Sequence, residues 1–139
     1  IEDMKEENKQ RWVLLSRNII WAAVIFILCA MPSEHVPDPH LNIPHLDKVV
    51  HFGMFVIMAV LLCNELEYQT RFSLRRVYVI TVGISFLYGG MIELLQQHFF
   101  NRSGDVWDLV ADVLGAIVGC WVYPRLKRIV RKVREKKKK

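Results

Sequence analysis

The sequence predicts an all-α fold: a four-helix transmembrane bundle followed by a basic amphipathic helix at the C-terminal end. Three observations predict it. Apolar residues make up 53% of the 139 residues and charged residues 24%, yet the two classes hardly mix. Nearly charge-free apolar stretches run through 19–31, 49–63, 77–95 and 106–123, with the charges between them. Lys and Arg, finally, crowd into alternate connections, as they do in proteins that cross a bilayer several times.

Each stretch can be taken in order. The first is short and ends at Pro32, but Trp12, Val13, Leu14 and Leu15 extend it if Arg17 snorkels to the headgroups. A basic segment before it would also suit a signal peptide; no small-x-small cleavage site precedes Pro32 and no lipobox leads to Cys29, so a retained helix is expected. The second stretch is again short. The third and fourth come close to the ~20 residues that cross a ~30 Å hydrocarbon layer at 1.5 Å rise per residue. The expected organisation is a cytoplasmic N-terminal segment over 1–18, a membrane domain over 19–123 and a basic cytoplasmic tail over 124–139.

Orientation follows from the basic residues. Lys5, Lys9, Arg11 and Arg17 precede span one, Arg71, Arg75 and Arg76 separate spans two and three, and the rest of the majority follows Pro124; 17 of the 19 thus share one side, leaving Lys48 and Arg102 opposite. The rich side is expected to be cytoplasmic, with both termini there. The first external connection, Pro32 to Leu46, holds four of the five prolines and must be extended or turning, ending where Asp47 can cap span two. Residues 64–76 read as a solvated connector. In the tail, Leu126, Ile129, Val130 and Val133 recur at helical spacing among Arg and Lys, a pattern suited to anionic lipid; no aromatic or motif accompanies the charge, and no nucleic-acid partner is expected. Cys29, Cys63 and Cys120 all fall in spans and read as small packing residues without a disulfide.

The polar residues of the external half are the informative ones. Asp47 and His51 are one helical turn apart with Lys48 beside them, Glu93 stands near the outer end of span three with Gln96 and Gln97 after it, and Asp105, Asp108 and Asp112 open span four. A carboxylate facing lipid costs about 2.5–3.5 kcal/mol on insertion scales, so these groups should face the bundle interior or a wet cleft. Asp105 suits a helix cap, and polar glue between helices would account for some of the others. Glu93, His51 and Asp108 together point to a pocket. Ala111, Gly115 and Gly119 form a small-xxx-small ridge for helix packing, and Gly89 and Gly90 suit the same role beneath Glu93.

The runs Asp47-Lys48-Val49-Val50-His51-Phe52, Glu93-Leu94-Leu95-Gln96 and Asn101-Arg102-Ser103-Gly104-Asp105, with Asp108 and Asp112-Val113-Leu114-Gly115 after them, resemble the VanZ-like family of small bacterial membrane proteins. Three separated motifs recur in order over about residues 45–120. The resemblance implies that Asp47, Lys48, His51, Glu93, Gln96, Arg102, Asp108 and Gly115 hold the family's characteristic positions, and it implies the bacterial cytoplasmic membrane and a role linked to teicoplanin resistance. Asp112 departs from the pattern, standing where the family usually has Asn and adding a negative charge.

Three function classes follow. The first is a cell-envelope binding protein whose outer cleft holds a lipid headgroup, a lipid-linked precursor or a glycopeptide, with Arg102 and Lys48 on anionic groups. The second is an enzyme on a lipid-linked phosphate with Glu93 or His51 as general base; the sequence has no nucleophile elbow, HExxH helix or P-loop. The third is a transporter, against which stands the lack of a polar row through the cytoplasmic half. No cofactor is expected, although the acidic excess would suit a divalent cation.

Overall fold

The computed structural model describes residues 1–30, 46–98 and 106–138. Four helices account for them: α1 (Glu2–Ala30), α2 (Leu46–Gln69), α3 (Leu74–His98) and α4 (Val106–Lys138), with no strand among the described residues. All four are long and apolar enough to cross a membrane. Their charged ends are helical as well, because a helix satisfies its backbone bonds internally whatever its side chains. Residues 2–18 therefore continue into the first span, and α4 runs unbroken through Pro124, whose ring takes one interior hydrogen bond away.

The connector expected over 64–76 is much shorter. Helix α2 continues to Gln69 and α3 begins at Leu74, so Glu65 and Glu67 are helical residues with partners on other helices. Asn18 of α1 donates to Glu65 Oε2 at 2.6 Å, while Tyr123 and Lys127 of α4 both donate to Glu67. At the turn itself, Thr70 donates its hydroxyl to the Leu66 carbonyl at 2.6 Å and Ser73 receives the Arg76 amide, closing one helix and opening the next.

Helix α2 is central, touching the other three and lying most extensively against α4. Lipid solvates apolar side chains about as well as a protein core does, so close packing and interhelical hydrogen bonds hold such a bundle together. Both are present. A Cβ on Gly115 would strike the Phe52 carbonyl oxygen of α2, and one on Gly119 would lie 2.6 Å from that of Val56, so α2 and α4 approach backbone to backbone. Gly90 has nothing within 4 Å of such a Cβ and takes no part in helix packing; Gly89 does, as described below. Trp21 donates to the Met54 carbonyl at 3.0 Å and Tyr88 to that of Ala22 at 2.5 Å, tying α1 to α2 and α3. Phe55, wholly buried, fills the space among these three helices beside Ile25, Met58 and Ile92.

A second cluster of Ala59, Cys63, Val77, Ala116, Cys120 and Tyr123 fills the space among α2, α3 and α4. The three cysteines are buried free thiols, and Cys63 lies with its sulfur 3.7 Å from that of Cys120. A disulfide needs about 2.05 Å between sulfurs, so a small shift would join them. A membrane-permeant oxidant such as diamide should close Cys63 to Cys120 within one chain and leave Cys29 open to alkylation; peptide mapping by mass spectrometry reads the pairing directly. Any other pairing would mean that α2 and α4 meet in a different register.

Candidate functional site

The end of the bundle where α2 begins, α3 finishes and α4 begins holds a buried ionisable cluster. His51 is 3% exposed, Glu93 7%, Asp108 5% and Asp112 0%. Helical periodicity brings them together: Lys48 and His51 share the inner face of the first turns of α2, and Asp108 and Asp112 sit one turn apart on α4. Glu93 faces them from α3. His51 Nδ1 lies 2.9 Å from Asp112 Oδ1, and Lys48 Nζ lies 3.4 Å from Asp108 Oδ1. The first pair is sealed within the bundle, while the Lys48 side chain is 24% exposed and leads toward the end of the bundle.

Asp112 occupies space that α3 vacates for it. A Cβ on Gly89 would come within 2.7 Å of Asp112 Oδ2, so a side chain at that position would displace the carboxylate. Gly89 stands one turn before Glu93 on the same face. One potential ligand atom from each of His51, Glu93 and Asp112 lies within 4.8 Å of the others.

Gln96 reaches across to α1. Its side chain is buried and donates from Nε2 to the Cys29 carbonyl at 2.7 Å, satisfying one of the carbonyls left over at the end of α1. It anchors α1 beside the cluster. The Asp47 side chain, Arg102 and Asp105 lie outside the described residues; α2 begins at Leu46, which places Asp47 in the first helical turn.

Two residues escaped the sequence reading. Thr81 and Ser85 are wholly buried on the α3 face that also bears Gly89 and Glu93, each one turn from the next. Thr81 Oγ1 accepts from Cys63 at 3.6 Å, and the Ser85 hydroxyl is buried without a hydrogen-bond partner. A polar row thus runs from Glu93 toward the other end of α3, contrary to the expected lack of one. Its signal was present in the sequence as a four-residue spacing, hidden because Ser and Thr are common in membrane helices.

Beside the cluster, a cleft of about 520 Å³ opens between α3 and α4. Phe86, Leu87, Met91, Leu94, Val106 and Leu109 give it apolar walls, Gly90 forms part of its floor, and Glu93 and Gln97 supply its polar groups. Glu93 therefore borders both the apolar cleft and the buried cluster.

Four membrane-length helices with an ionisable cluster buried toward one end define a multi-pass helical membrane protein organised around an internal polar site. The chain belongs to the VanZ/LLP1 family, which matches it over residues 3–128. It is also similar to an uncharacterized protein of Schizosaccharomyces pombe, 30% identical over 93 residues. That similarity covers 66% of this chain and 55% of the yeast protein, so the chain spans little more than half the length of that relative. No solved structure matches the chain significantly.

Proposed function

We propose that this protein binds an amphiphile, taking its apolar chain into the cleft between α3 and α4 and its polar head at the His51, Glu93 and Asp112 cluster. One observation carries this reading: Glu93 lines the apolar cleft and also contributes to the buried ionisable cluster, so a molecule entering from the lipid meets a hydrocarbon wall first and hydrogen-bonding groups next. Pockets of this kind, apolar with a few convergent polar groups, are the usual form of small-molecule sites. Lys48 stands beside the cluster as a cation for an anionic head, and Arg102 is a second such cation by its sequence position.

The excess of Lys and Arg at the other end of the bundle favours an outward-facing site, with both termini in the cytoplasm. In a bacterial envelope the amphiphile would be a lipid-linked cell-wall precursor, a phospholipid or a lipid-bearing glycopeptide of the teicoplanin type. The apolar stripe of Leu126, Ile129, Val130 and Val133, all exposed amid basic residues, suits contact with anionic lipid at the opposite face.

The test is native mass spectrometry and lipid analysis of protein purified in mild detergent. Wild type should carry an amphiphile. Gly90→Leu, which fills the cleft from a position with free space around it, should lose that amphiphile while keeping the wild-type helical content by circular dichroism. Equal retention by Gly90→Leu and wild type would remove the proposal.

A further inference from the structure

We infer that His51, Glu93 and Asp112 form a binding site for one first-row divalent cation. The donor set is the first argument. One imidazole and two carboxylates, each from a different helix and each at least nine-tenths buried, bring a ligand atom apiece within 4.8 Å of one another. Donors about 2.1 Å from a shared ion stand about 3.0 Å apart at right angles and about 4.2 Å apart when opposed. The 4.8 Å within which the donors lie is somewhat wider than that, and on binding His51 would give up its Nδ1 hydrogen bond to Asp112 and offer a ring nitrogen to the ion instead.

The second argument is independent of the clustering. Asp112 Oδ2 is completely buried and has no hydrogen-bond partner, although its fellow oxygen is engaged by His51. An oxygen in that condition forgoes the interaction that normally offsets its desolvation. It is turned toward α3 at Gly89, where the missing Cβ keeps the space open one turn from Glu93. A cation bound by these residues would give Oδ2 a partner, and two positive charges would offset the two carboxylates of the set.

The chemistry narrows the ion. Mixed nitrogen and oxygen donors favour Zn²⁺, Mn²⁺ or Fe²⁺ over Mg²⁺ and Ca²⁺, which take oxygen ligands, and over Cu⁺, which takes sulfur. Among the described residues no cysteine sulfur joins the group: Cys29 lies in the core cluster among α1, α2 and α3, and Cys63 and Cys120 in that among α2, α3 and α4. The inference does not depend on the amphiphile reading, since Gly90→Leu should abolish amphiphile retention and leave cation uptake intact.

The experiment uses the full chain in detergent, freed of any affinity tag, stripped with a chelator and titrated with ZnCl₂ or MnCl₂. Bound metal is measured by inductively coupled plasma mass spectrometry and stability by thermal unfolding. Wild type should take up about one equivalent and unfold several degrees higher with metal than without. Asp112→Asn keeps the side-chain shape and an acceptor for His51; it should fold and bind at least tenfold more weakly, as should Glu93→Gln on the neighbouring helix. Should a variant fail to fold, Co²⁺ in the wild type decides the matter through the visible bands of a nitrogen- and oxygen-ligated ion. No saturable uptake and no such bands, or uptake by folded Asp112→Asn equal to wild type, would overturn the inference.

Discussion

Gly115→Ala is expected to destabilise the bundle, whereas Gly83→Ala is expected to leave it unchanged or slightly more stable. Both positions are glycines inside membrane helices, so intrinsic propensity favours alanine at each by up to about 1 kcal/mol. Packing reverses the sign at only one. A Cβ on Gly115 strikes the Phe52 carbonyl oxygen, a backbone atom that can move only with α2 itself, while a Cβ on Gly83 meets nothing within 4 Å. Separating two helices that touch along their backbones forfeits contacts all the way along, and overpacking of this kind costs about 1–3 kcal/mol. Thermal unfolding in detergent measures both variants. A Gly115→Ala protein as stable as wild type would mean that α2 and α4 are not in backbone contact.

The second large effect concerns the buried pair. His51→Leu removes the partner that lies 2.9 Å from Asp112 and leaves that carboxylate inside the bundle. Breaking a buried pair on one side costs about 3–5 kcal/mol, whereas replacing both partners with apolar residues is often neutral. His51→Leu combined with Asp112→Leu should therefore be more stable than His51→Leu alone. That ordering separates pairing from mere bulk, because the double variant changes more of the core and yet should recover stability. If the double variant were the less stable of the two, His51 and Asp112 would not be acting on each other. The comparison is best made on metal-stripped protein, where only the side chains differ.

Much of the bundle was legible because lipid imposes a length on every span. The stretch 77–95 became the interior of α3 and 106–123 the first part of α4. The helix ends were less legible, since charged residues such as Glu65 and Glu67 mark the limit of the hydrocarbon and not the limit of the helix. At the site, the common depth of His51, Glu93, Asp108 and Asp112 followed from counting turns inward from each end. Their pairing did not. Asp112 meets His51 because Gly89 withdraws a side chain from α3 and Gly115 lets α4 lie against α2, and a pattern read along one chain carries no record of such three-helix coincidences. Gln96 is a similar case: its three-residue spacing from Glu93 marks its face, but only the fold brings the Cys29 carbonyl to its amide.

The length of α4 has a consequence for what the helix joins. At 33 residues it is a rod of about 50 Å, while the hydrocarbon spans about 30 Å. Arg125 stacks 3.8 Å over the Trp121 ring, the kind of aromatic and cationic collar that marks where acyl chains give way to headgroups. Beyond that collar α4 continues as the basic amphipathic helix, joined to α2 at its start where Lys127 donates to Glu67. One continuous helix therefore bears both the buried carboxylate of Asp112 and the lipid-contacting stripe of the tail, so the two ends of the protein share a single backbone.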